Sequence, residues 1–138
     1  MSMDDARKAL AQGFTDGNFF PAADVAWENV TFAPRTGNKP WAKFTFVPTQ
    51  PYPASLGQHG LDRVDGFAQV DLNYPIGDGD AAAMAKYVAI AAVFYCGARF
   101  TNNGQVVVIE SCGRSQGREF SGFYRVSVTI NFYAQVQR

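Results

Sequence analysis

From Phe120 to Ala134 the chain alternates along its whole length, with Phe120, Gly122, Tyr124, Val126, Val128, Ile130, Phe132 and Ala134 on one side. A period of two sustained this far demands a long β-strand with one face turned into a core. Such a strand must pair, and the chain offers partners. Trp41 to Val47 alternates, with Ala42, Phe44 and Phe46 set against Trp41, Lys43, Thr45 and Val47. Arg63 to Tyr74 does the same, its Ala68, Val70, Leu72 and Tyr74 predicting a buried face and its Gln69, Asp71 and Asn73 a wet one, and it should pair with the Trp41 strand. The "VVVIE" stretch ending at Glu110 is apolar on both faces and predicts a central strand entered through the Asn102-Asn103-Gly104 turn.

Two segments carry helical spacing instead. Ser2, three residues before Asp5, has the form of a capping box, and Met3, Ala6, Leu10 and Phe14 make an amphipathic helix ending near Gly13 to Gly17. Asp80 is placed as the N-cap of an alanine-rich helix from Ala81 to Cys96, with Gly97 as the left-handed residue beyond it. Met84, Val88, Ala91 and Tyr95 share one face there, and Ile90 and Phe94 widen the stripe until the helix reads as nearly all buried. Asn18 to Asn38 reads as an irregular connector anchored by Trp27 and Phe32, and Pro48 to Gly60 as a long open loop. The expectation is an α+β fold in the order α-β-β-α-β-β: a mostly antiparallel four-stranded sheet with two helices packed on one face.

The 138 residues allow one domain, 1–138, and 47% hydrophobic residues suffice for a core without disulfides or metal. Twelve acids balance twelve bases, which argues against a polyanionic partner and against sequence-specific nucleic-acid binding. The first ten residues are too charged for a signal sequence and no apolar run reaches the roughly 18 residues of a membrane span, so a cytosolic product without membrane contact is expected. Cys96 and Cys112 lack metal-ligand spacing; the sequence leaves a disulfide between them open, and buried free thiols are the expectation in a reducing compartment.

"QVDLNYPIGDGDAAAMA" imitates a dinucleotide fingerprint through Gly77, Gly79, Ala82 and the later Glu110. Asp78 and Asp80 stand where a pyrophosphate would sit, however, and Glu110 arrives well beyond the usual separation of about 20 residues. The stretch is read as turn chemistry followed by a helix cap, with no cofactor. His59 is the lone histidine, in a glycine-flanked loop; Ser111-Cys112 has no second histidine to activate it; Asp62 and Asp65 read as solubilising carboxylates. Neither a catalytic set nor a metal site is expected. Arg99, Arg114, Arg118, Arg125 and Arg138 make the C-terminal stretch basic while Asp62 to Asp80 and the first 30 residues are acidic; opposite patches meeting between copies and plain solvated faces are equally open readings.

In their order, "PWAKFTFVP", "VDLNYPIGDGD" with its alanine-rich helix, and the closing "FYRVSVTINFYA" strand resemble the phage tail terminator-like family, similar to the tail terminators of siphophages. The resemblance runs from about Val25 to Ala134. It implies a non-enzymatic virion protein that assembles as a ring, usually six-fold, on the head-proximal end of the tail tube. There it would stop polymerisation of the major tail protein and present the surface that joins head-completion or connector proteins; before that it would reside in the host cytoplasm. Candidate interface residues are Tyr52, Leu56 and His59 in the long loop, and Arg114 and Arg118, types suited to interface contacts. A head-completion or neck protein, and a small-molecule binding module using Phe44, Phe46 and Tyr95, are the alternatives.

Overall fold

A computed structural model describes residues 2–30 and 39–137 of the chain. Phe32 and Arg138, both used above, lie outside the described residues. Helix α1 spans Met3–Asp16, its N-terminus capped as expected: Ser2 Oγ accepts the Asp5 backbone N–H at 3.1 Å. Ala6, Ala9, Leu10 and Phe14 form its buried stripe. The expected irregular connector in fact contains a 3₁₀ turn at Ala22–Asp24 and a strand, β1 (Val25–Trp27), parallel to β2 (Trp41–Pro48). There follow β3 (Tyr52–Pro53), β4 (Leu61–Pro75), α2 (Ala81–Val93), β5 (Arg99–Asn102), β6 (Gln105–Arg114), β7 (Arg118–Phe120) and β8 (Phe123–Gln137).

The four-stranded antiparallel expectation is therefore wrong. The strands form one mixed sheet in the order β1-β2-β4-β8-β6-β5, with β3 added on β4 and β7 on β8, curled into a half-barrel. The missed strands are two to four residues long. A segment that short cannot display a period; neighbouring backbone, not its own pattern, makes it a strand.

Strands β4 and β8 are the spine. They pair antiparallel in unbroken register from Leu61 opposite Gln137 to Pro75 opposite Phe123. Because the side-chain period is two, that register aligns Ala68 with Ile130, Val70 with Val128 and Leu72 with Val126 on one face, where all six are buried in the same cluster as Leu10 and Phe14 of α1. Gly66 sits opposite Phe132 where β2 passes close by. A Cβ there would lie 2.6 Å from the Val47 carbonyl oxygen and 2.9 Å from the Phe132 ring, so only glycine admits the approach.

Three further expectations change. The long alternating strand starts at Phe123, because Ser121 and Gly122 both have positive φ and fold the chain into a tight hairpin with β7. The polar face of β4 is not wet throughout: Asp71 and Asn73 are buried beside Arg125 and Ser127 of β8. Arg125 Nε donates to Asn73 Oδ1 at 2.8 Å, Ser127 Oγ donates to Asp71 Oδ1 at 2.6 Å, and the Arg125 guanidinium lies 3.6 Å over the Phe120 ring. Burial is affordable there because each polar group has a partner.

Helix α2 departs most. It ends at Val93, before the expected Cys96, and only Ala83 and Ile90 within it are buried. The helix runs beside the outer edge of β6, where Tyr87 Oη donates to the Cys112 carbonyl at 3.1 Å and the Gly97 N–H to the Ile109 carbonyl at 2.8 Å. It thus caps a sheet edge, presenting one narrow stripe to the core.

Candidate assembly surface

The buried stripe of α2 is Ala83, Ile90 and, just past its end, Phe94. The other apolar stripe faces solvent: Val88 is 57% exposed, Tyr95 60%, and Met84, Ala81, Ala82, Ala85, Ala89 and Ala92 are exposed as well. Periodicity assigned Met84, Val88 and Tyr95 to the interior. Both stripes are apolar, and spacing alone cannot say which one the sheet takes. The single charged side chain of the helix, Lys86, turns back onto the protein and donates to the Phe19 carbonyl at 2.5 Å, over the Phe20 ring. An uncharged face of this kind on a folded chain marks a contact surface.

A clamp holds the start of the helix. Arg114, at the end of β6, donates from Nη1 and Nη2 to the two carboxylate oxygens of Asp80, both at 3.0 Å, and Tyr124 Oη donates to Asp80 Oδ1 at 2.7 Å. Asp80 occupies the N-cap position as the sequence indicates, but its side chain makes no capping bond to α2. Arg114 and Tyr124 together hold the Asp80 carboxyl below its ordinary 3.8. Gly77 and Gly79 both have positive φ with open space around them, which fits a turn. The Asp80 carboxylate beside that turn is held by Arg114 and Tyr124.

On the opposite flank, the segment read as an open loop is pinned. Thr49 N–H donates to the Asp65 carbonyl at 2.9 Å, Tyr52 pairs with Arg63, and Ala54 and Ser55 both donate to the Leu61 carbonyl. The result is a short arm continuing the line of β2 along β4. At its tip Leu56 is 94% exposed, and His59 is exposed beside it. Tyr52, at the arm's base, donates to Asp65 Oδ2 at 3.1 Å; burial first, and then the Asp65 carboxylate, push its hydroxyl above 10.0. Arg63 Nη2 donates to the same Asp65 at 3.1 Å and lies 4.2 Å over the Tyr133 ring. Asp65 is thus a structural partner of the arm.

Of the candidates taken from sequence, Tyr52, Leu56 and His59 come together on the arm. Arg114 sits on the other flank, its side chain only 14% exposed inside the clamp. Arg118 is exposed on β7 and donates to Ser127 Oγ at 3.2 Å. Phe44 and Phe46 floor a groove of about 660 Å³ between α1 and the β1–β2 edge, together with Trp27 and rimmed by Arg7 and Lys8; Tyr95 does not reach it. Cys96 is an exposed free thiol, contrary to the expectation of burial, and Cys112 is half-buried and free. Among the described residues no group of three or more His, Cys, Asp or Glu is placed to hold a metal ion.

This half-barrel with its two helices recurs in a protein of known structure. A solved structure that carries no functional description superposes with a TM-score of 0.75, at 23% identity, over 98% of this chain and 96% of that one. No curated protein matches. The family model described as phage tail terminator protein matches residues 5–132, and the chain belongs to that family.

Proposed function

We propose that the protein is the tail terminator of a bacteriophage with a tube-like tail, assembling as a ring of identical subunits, six in number, on the head-proximal end of the tube. The ring stops polymerisation of the major tail protein and then offers its free surface to the head-completion proteins. Family membership supports the tail assignment. The observation that carries the ring reading is the uncharged outer face of α2 on one flank and the arm bearing Tyr52, Leu56 and His59 on the other. A head-to-tail interface needs two different patches, one on each side of the subunit. The role is structural, resting on shape and contact with no turnover of substrate.

The test is the mass of the purified protein by light scattering over a range of concentrations, with negative-stain microscopy of the protein mixed with tail tubes. Rings, free or seated on one tube end, are the expected result. A monomer at every concentration that leaves tube ends bare would overturn the reading.

A further inference from the structure

Helix α2 exposes apolar surface that its own chain does not cover. The arm exposes apolar side chains of its own, Tyr52 and Leu56, on a segment, Pro48 to Gly60, that contains no Asp, Glu, Lys or Arg. The two cannot meet within one molecule. The arm pairs with β4 at its Arg63 end, while α2 follows the Pro75 end of that strand and lies against β4 and β6. Leu56, Val88 and Tyr95 all stay exposed, so neither surface covers the other.

We propose that the arm of one copy packs on the outer face of α2 of the next, with Leu56 and Tyr52 lying across Met84, Val88 and Tyr95. This rests on the ring reading and names the contact that would close the ring.

Three observations favour a second copy as the occupant. Neither the arm segment nor the exposed face of α2 carries a charged side chain, and Asp65 beside Tyr52 is already paired with Arg63, so no ion is left unpaired when water is expelled. Their positions on opposite flanks let the same contact repeat from subunit to subunit. Their shapes match as well. The exposed face of α2 is mostly alanine, a shallow track about 20 Å long and 10 Å wide, and the arm is a narrow two-stranded projection pinned by its own hydrogen bonds, so little order is lost on docking. A track that size supplies the apolar centre of a contact, and a stable interface of roughly 800 Å² per partner needs the flanking strands as well.

The experiment is site-directed cross-linking of full-length protein. Cys96→Ser removes the exposed thiol, while Cys112 stays half-buried with its thiol pushed up to about 11 by burial. On that background Leu56→Cys and Val88→Cys are made separately and together, each at an exposed position, and thermal unfolding checks that each variant folds like the parent. A short bis-maleimide is added to each alone and to their mixture, free and on tail tubes.

The expected result is a cross-linked pair in the mixture only, and a ladder ending at the ring size when both cysteines are in one chain. Self-linking of Val88→Cys alone would mean α2 packs on α2 and would overturn the proposal. So would intact rings or tube caps with no cross-link in the mixture, an outcome that leaves the terminator reading standing. Absence of rings and caps from the parent protein itself would sink both. Val88→Asp gives an independent readout: at least a tenfold rise in the concentration needed for assembly, with unfolding unchanged.

Discussion

Arg114 and Asp80, 34 positions apart in the chain, face each other through two parallel 3.0 Å hydrogen bonds that join the end of β6 to the first turn of α2. The fork geometry matches the guanidinium to the carboxylate, and Tyr124 from β8 completes the set. The helix presenting the apolar face is therefore oriented by the sheet at its start, and by Tyr87 and the Gly97 N–H further along.

Replacing Arg114 by Ala should loosen the start of α2 without unfolding the protein. Amide exchange across Ala81 to Ala85 should rise, while the core strands β4 and β8 stay protected. Arg114→Lys keeps the charge but loses the fork, and should fall between the two. Exchange in α2 that is indifferent to Arg114→Ala would show that the clamp orients nothing.

The same clamp predicts an acid dependence. The folded-state pKa of Asp80 is depressed below 3.8, so its stabilising contribution is fully present above that value and is lost as pH falls through the lower folded value. The difference in melting temperature between the parent and Asp80→Asn should therefore be constant near neutrality and shrink from about pH 4 downward. A gap that does not narrow at all as pH falls below about 4 would contradict this assignment.

Arg125 is buried with Asp71 and Asn73 in the polar patch on the far face of the spine, where desolvation lowers its pKa and Asp71 opposes that. Arg125→Ala removes the counter-charge 3.9 Å from the buried Asp71 carboxylate, which keeps only its bonds from Ser127 and Gln69, and should destabilise by about 3–5 kcal/mol. Removing the charge at both ends, with Arg125→Met and Asp71→Asn together, should recover a large part of the loss. Urea unfolding of the two single variants and the double variant measures the coupling; simple additivity would mean the pair is independent.

Ile90 and Val88 are two residues apart on α2 and should behave as opposites. Ile90 is fully buried, and Ile90→Ala should cost about 2–5 kcal/mol through lost contacts and a cavity. Val88→Ala, on the exposed face, should stay within about 0.5 kcal/mol. Paired denaturation curves decide it; equal losses would mean that the outer face is already buried in the monomer.

Much of the architecture was legible where a period ran long enough to express itself. The alternation of Ala68, Val70 and Leu72 and that of Val126, Val128 and Ile130 placed the two spine strands and chose their inner faces, because a period of two ties every second residue to one side. Ser2 and Asp5 announced the first helix, and Asn103-Gly104 the turn into β6, since both signals are local chemistry. The two- to four-residue strands were invisible, and Ser121-Gly122 passed as part of a strand because alternation continued across the turn.

The candidate surface divides the same way. Sequence by itself determined that the Pro48 to Gly60 segment is uncharged and that α2 is apolar nearly all round, both being properties of composition. Which stripe of α2 the sheet would take, and that Arg114 would be spent on Asp80, depended on where β6 ends relative to the helix. Burial and ion pairing are relations between segments distant in the chain. Only the tertiary structure decided that Met84, Val88 and Tyr95 face outward, because the strand edge they flank offers room for one stripe and the other is left to water.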